Sequence, residues 1–291
     1  MTAGAVLEVD PSTLVYFETS AWNCLARHPE KEDLLGAFDR HGIQVLASVI
    51  VAGEILRTGD PEIWRTLCDV VARVQGEMAP LLDHPEHLVR YPVEAWRRGD
   101  STSVIRQSRA ASVLLRYMTN PDAVTPEERT EVKLWVNAMH EDHASVFRAL
   151  AHIGPRAGPP FCSPEVLARP DFHRLFAEKV PVVAELGLSA GDLGGLAAAS
   201  DIWKVYLAAA AFTIDAAIDR MPETRRIRAV TRPQKRPGGP DVRQAVYLGV
   251  CPTFVLRDEW FQECLAEIAC GAGLERRIVS TDEFFAELAR R

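Results

Sequence analysis

Leu14-Val-Tyr-Phe17, followed at once by Glu18-Thr-Ser20, reads as a short buried strand that ends on an acid and enters a helix beginning near Ser20. Three more stretches have the same character. Ile43-Gln-Val-Leu-Ala47 follows the His41-Gly42 turn, Thr253-Phe-Val-Leu256 follows Pro252, and Arg277-Ile-Val-Ser280 closes the set. Each is a brief apolar run rich in β-formers, and each precedes a helical pattern. Strands alternating with helices predict βα units and a mainly parallel sheet, so the expected class is α/β.

The middle of the chain reads differently. Asp60-Pro61-Glu62, Thr125-Pro126-Glu127 and Ser163-Pro164-Glu165 repeat one helix-start signal: a capping side chain, Pro at the first helical position and an acid in the first turn. Thr125 also has Glu128 three residues on, the pattern of a capping box. Helical patterns follow at Ile63–Met78, Pro126–Leu150 and Leu196–Arg220, and the breaks fall at the Pro/Gly-rich stretches Gly154–Pro160 and Arg232–Pro240. The expected organisation is a discontinuous α/β domain, 1–56 and 237–291, interrupted by a mainly helical insertion, 57–236. His84-Pro-Glu-His87 is expected to be a loop, and His140-Glu-Asp-His143 an exposed polar helix face. Trp64, Trp96, Trp135 and Trp203 fall in helical patterns as core residues.

Composition narrows the function classes. The chain has 291 residues, of which 47% are hydrophobic and 25% charged, enough apolar surface to offset folding entropy and exclude a disordered chain. No apolar run is long enough to span a bilayer, and Glu8 and Asp10 argue against a signal peptide. The six cysteines form no CxxC pair, which excludes a zinc ribbon and suggests reduced thiols in a cytoplasmic protein. The net charge is −7, yet Arg220–Arg236 holds seven basic residues and one acid. Such a strip on an acidic chain is either a solvated loop or a polyanion contact.

In an open parallel sheet, reactive groups lie just beyond the carboxyl ends of the strands. Four acids occupy such places. Glu18 follows the first strand, and Asp258 lies two residues past the Thr253 strand. Glu54 sits about two turns into the helix after Ala47, with Ser48 as its cap, and Asp241 opens the helix Asp241–Leu248. Clustered carboxylates repel and need a cation, and hard oxygen ligands suit Mg²⁺ or Mn²⁺. Each acid also has a plainer role: Asp241 and Asp258 as helix-start residues, Glu54 facing solvent, Glu18 in a strand-to-helix turn.

These segments carry a resemblance. Val15-Tyr-Phe-Glu-Thr-Ser-Ala21 resembles the opening strand of PIN-domain nucleases, and Ser48-Val-Ile-Val-Ala-Gly-Glu54 resembles their second motif. Asp241-Val-Arg-Gln-Ala-Val-Tyr-Leu248 is similar to the third, Phe254-Val-Leu-Arg-Asp258 to the fourth, and Ile278-Val-Ser-Thr-Asp-Glu-Phe-Phe285 to the closing strand and helix. The resemblance covers residues 10–56 and 238–290. It implies a three-layer α/β/α sandwich and metal-dependent hydrolysis of RNA phosphodiester bonds. By position it assigns Glu18, Glu54, Asp241 and Asp258 as both the catalytic acids and the ligands of Mg²⁺ or Mn²⁺. Arg225, Arg226, Arg228, Arg232, Lys235 and Arg236, just upstream of Asp241, would then contact RNA phosphates. Two residues depart from the pattern: Glu18 stands where the family has Asp, and Leu256 where it has Thr or Ser. They favour the alternative of a PIN-like nucleic-acid-binding or protein-interaction scaffold without turnover. The helical insertion is the expected surface for a protein partner.

Overall fold

The computed structural model describes residues 13–58, 60–75, 81–100, 108–120, 125–138, 160–219 and 239–291. The four expected strands are present as β1 (Leu14–Phe17), β2 (Gln44–Leu46), β3 (Thr253–Leu256) and β4 (Arg277–Ser280). They pair in the order β2-β1-β3-β4, all parallel. The register sets Tyr16 against Leu46 on one side and Phe254 on the other. Most of the remaining described chain is helical.

Alternation along β1 decides how the sheet is covered. Phe17 meets Trp22, Phe38, Phe284 and Phe285, with ring centroids 5.2–6.0 Å apart. Those rings come from α1 (Thr19–Arg27), α2 (Lys31–Arg40) and the final helix Thr281–Arg290. Its neighbour Tyr16 stacks on Tyr247 at 4.7 Å and packs on Phe254 at 4.6 Å. Phe254 in turn meets Phe261 of the helix Glu259–Gly271. Helices therefore cover both faces, as a parallel sheet requires.

The helical segment is built onto this sheet. α3 (Val49–Leu56) follows β2, and α4 (Pro61–Gln75) packs against α1 and β2. The helix Arg109–Thr119 lies on α3 and α4. One continuous cluster of buried apolar residues runs through the sheet layers and the helical segment alike. Trp203, on the long helix Asp201–Asp219, is completely buried and donates its indole N–H to the Val89 carbonyl at 2.9 Å. Among the described residues no helix is long and apolar enough to cross a membrane.

Local signals explain most helix starts. Asp60 accepts the N–H of Glu62 at 2.9 Å, and Ser163 accepts that of Val166 at 3.4 Å. The Thr125 capping box is reciprocal, with Thr125 N donating to Glu128 at 3.1 Å and Glu128 N to Thr125 Oγ1 at 3.2 Å. Three expectations change. The Leu196–Arg220 helix is two helices, Ala190–Ala199 and Asp201–Asp219, because Ser200 is extended (φ −140°, ψ 119°) between them. His84-Pro-Glu-His87 is not a loop: Pro85–Leu88 is one helical turn, capped by His84, whose ring accepts Glu86 N at 3.4 Å. Asp241–Leu248 splits into an α-turn, Gly239–Gln244, and a 3-10 turn, Ala245–Gly249. Gly249 ends the 3-10 turn where no side chain fits, since a Cβ there would lie 2.5 Å from the Ile202 Cα. The 3-10 turn thus packs backbone to backbone on the start of the Asp201–Asp219 helix. His140–His143 lies outside the described residues, and so does the side chain of Trp135.

Candidate functional site

Strand order fixes where a site belongs. The chain moves from β1 outward to β2, then crosses to the opposite side of β1 to lay down β3. In open α/β sheets such a reversal places the ligand crevice beyond the carboxyl ends of the strands, here those of β1 and β3. Glu18 ends β1 and Asp258 follows β3, so the topology sets both acids at this crevice.

Two hydroxyls at the start of α1 tie the neighbouring turns together. Ser20 Oγ accepts the Arg257 N–H at 2.9 Å and donates to the Glu18 carboxylate. The same carboxylate oxygen accepts the Ser20 N–H at 2.7 Å, making Glu18 the N-cap of α1. The adjacent hydroxyl, Thr19 Oγ1, donates to Glu54 Oε2. Glu18 and Glu54, from β1 and α3, therefore meet two consecutive hydroxyls at one helix N-terminus, and both are half-buried. The positive end of the α1 dipole favours negative charge there.

Beneath these acids lies a buried polar layer. The Tyr16 hydroxyl donates to Gln244 Oε1 at 2.8 Å and is 2.9 Å from Ser48 Oγ. Ser48 also caps α3, the helix that carries Glu54. Burial pushes the Tyr16 phenol well above its ordinary range, and the proximity of Tyr247 and then of Glu18 and Glu54 adds to this. Tyr16 is thus a neutral hydrogen-bond donor beneath two carboxylates. Gln244 ends the short helix Gly239–Gln244, in which Asp241 lies one turn earlier. Tyr16 and Gln244 therefore join β1 to the element that holds the third acid.

The four acids are not equivalent. Glu18 and Glu54 are both held at the start of α1, by Ser20 and Thr19 respectively. Asp258 is exposed and accepts the Phe261 N–H at 2.8 Å as the N-cap of its helix, the plainer role anticipated for it. Asp241 is in a helix at the expected place, but its side chain lies outside the described residues. Arg225, Arg226, Arg228, Arg232, Lys235 and Arg236 lie outside them altogether. Among the described residues no group of three or more His, Cys, Asp or Glu side chains gathers as a metal site. The pair Glu18–Glu54 still fits Mg²⁺ in kind, because that ion is commonly held by one or two carboxylates, waters and substrate phosphates. Leu256 is completely buried, so its side chain belongs to the core rather than to the crevice.

Sequence reasoning passed over Tyr16, Gln244 and the Ser20 link to Arg257. Thr19 and Ser20 were in the quoted motif, and their position directly after the strand-ending acid was the available signal. Gln244 carries no such signal, since its partner Tyr16 is 228 residues away in sequence. No protein-family model, curated protein or solved structure matches the chain. The fold and the crevice define an all-parallel α/β protein with two neighbouring carboxylates at the sheet's topological switch point.

Proposed function

We propose that this protein is a PIN-like, Mg²⁺- or Mn²⁺-dependent endoribonuclease acting at the crevice beyond β1 and β3. The observation that carries the reading is the meeting of Glu18 and Glu54 at the start of α1, in the crevice where the strand order reverses. Those two acids, with Asp241 from the helix anchored through Gln244, would hold the ion. When bound, the ion would supply a polarised water and charge stabilisation at the scissile phosphate. Thr19 and Ser20 orient the two carboxylates, and the buried Tyr16 hydroxyl, as a neutral hydrogen-bond donor to Gln244, ties β1 to the helix of Asp241. Asp258 caps its helix at the rim. The basic residues Arg225–Arg236 would neutralise the RNA backbone, which makes binding steeply salt-dependent.

A specific observation favours a second reading, a binding scaffold without turnover. Glu18 spends one oxygen on the Ser20 amide and hydroxyl, and Asp258 spends one on the Phe261 amide, so both acids serve their helices without any ion. The test is cleavage of a labelled single-stranded RNA in MnCl₂ and in EDTA by wild type, Glu54→Gln and Asp241→Asn. The nuclease reading expects Mn²⁺-dependent cleavage that EDTA abolishes and that each variant lowers by at least about 100-fold, the scale of a lost general-acid–base or electrostatic contribution. Equal cleavage in all samples refutes the site. RNA binding with no cleavage in any of them establishes the scaffold.

A further inference from the structure

Away from the crevice, a cavity of about 240 Å³ opens between the helix Pro85–Leu88, the helix Pro181–Glu185, the helix Asp201–Asp219 and the helix Gly239–Gln244. Its walls are largely apolar, with Val182, Ala209, Val242 and Val246 among them. Two polar groups stand in this lining without a hydrogen bond from any described residue: the Tyr206 hydroxyl and the half-buried Arg243 guanidinium. The cavity's other cation, Arg90, is already engaged by Glu185 at 2.7 Å. Among the described residues Arg243 has no ion pair of this kind. Glu86 lends it favourable charge from a distance, and burial lowers its pKa only to about 10, so it stays protonated at neutral pH.

A guanidinium in an apolar wall offers five donors in a planar fork, and a carboxylate satisfies them bidentately. Leaving them unmet in a partly dry site costs free energy that a ligand would recover. The surrounding acids set the ligand's charge. Glu86 and Glu185 also line the cavity and would repel a multiply charged anion such as a phosphate ester. The apolar walls ask for a hydrocarbon body, and Tyr206 supplies a neutral donor.

We propose that this cavity binds a small organic monocarboxylate with an apolar body, its carboxylate on Arg243 and Tyr206 and its hydrocarbon against Val182, Ala209, Val242 and Val246. The proposal is independent of nuclease activity. It bears on the crevice only in that Arg243 shares a two-turn helix with Asp241.

Octanoate is the probe, measured by isothermal titration calorimetry and thermal shift on the full chain, with 1-octanol, octylamine and inorganic phosphate as comparisons. Octanoate should bind saturably at one site and raise the melting temperature. Octanol should bind at least tenfold more weakly, and octylamine and phosphate should not bind. Arg243→Gln should lower octanoate affinity at least tenfold and leave octanol unchanged, which separates lost charge recognition from misfolding. Ala209→Leu, which fills the cavity, should weaken both. Failure of wild type to bind octanoate saturably, octanoate affinity unchanged in Arg243→Gln, or tighter binding of phosphate would each overturn the assignment.

Discussion

Replacing Asp83 by Ala should destabilise the protein more than any surface substitution, although Asp83 lies outside the candidate site. The carboxylate is completely buried. It accepts from the Tyr91 hydroxyl at 2.6 Å, the Ser108 N–H at 2.9 Å and the Ser108 hydroxyl at 2.6 Å. Its own carbonyl accepts the Tyr247 hydroxyl at 3.0 Å. One residue thus fastens three elements: the helix Arg90–Arg98 through Tyr91, the helix Arg109–Thr119 through its N-cap Ser108, and the 3-10 turn beneath Tyr16 through Tyr247. Three hydrogen bonds to a charged group are worth roughly 5–9 kcal/mol together. The Ala variant no longer buries a carboxylate, and that absent desolvation cost offsets several kcal/mol of the loss. The net loss is about 2–4 kcal/mol, or about 4–16 °C in melting temperature for a chain of this size. Chemical denaturation of wild type, Asp83→Ala, Ser108→Ala and the double variant measures both the loss and the coupling. The two single effects should fall short of additivity by about 1–2 kcal/mol, since both remove the bond from the Ser108 hydroxyl. A loss below about 0.5 kcal/mol for Asp83→Ala, or strict additivity, would refute the network.

Gly249→Ala should cost about 1–3 kcal/mol by overpacking, because the new methyl meets the Ile202 Cα at 2.5 Å and the Ile202 nitrogen at 2.7 Å, both backbone atoms; a melting temperature equal to wild type would contradict the close approach. His84 should make the protein acid-sensitive. Burial, aided by the charges of Arg243 and His87, lowers its pKa to about 3, so the unfolded chain takes up a proton that the native state refuses. Stability should then fall by about 1.4 kcal/mol per pH unit as pH drops below about 6.5. His84→Gln should flatten that slope in urea titrations at successive pH values, and an unchanged slope would assign the acid sensitivity elsewhere.

The strands were legible because each is short, apolar and bounded by a turn or a proline. β1, β3 and β4 have the predicted ends, and β2 is trimmed to Gln44–Leu46. Helix starts were equally legible, since Asp60, Thr125 and Ser163 act on amides two or three residues away. Helix interruptions were not. The Ala-rich run before Ser200 has high helical propensity throughout, and only the Ser200-Asp201 pair marks the break in the sequence. Gly249 likewise reads as an ordinary turn residue until Ile202 is placed against it. At the crevice, order along the chain puts Glu18 directly after β1, Glu54 on α3 and Asp258 two residues past β3, but spacing cannot say what each carboxylate bonds to. Asp258 is exposed and caps its helix, while Thr19 binds Glu54 and Ser20 binds Glu18 at the start of α1. The hydrogen bonds of Asp83 had no local signature, because Tyr91 and Ser108 belong to other elements.

The placement of β1 between β2 and β3 has a consequence for biosynthesis. A nascent chain leaves the ribosome amino end first, at about 5–20 residues per second. β1 gains its first neighbour almost at once, from Gln44–Leu46, but its other edge stays bare until Thr253–Leu256 emerges about 200 residues later. Throughout that interval an apolar strand with open amide and carbonyl groups invites pairing with other chains. Polypeptides that stop short of Thr253 never close that edge, so premature termination should yield insoluble fragments rather than a smaller folded core.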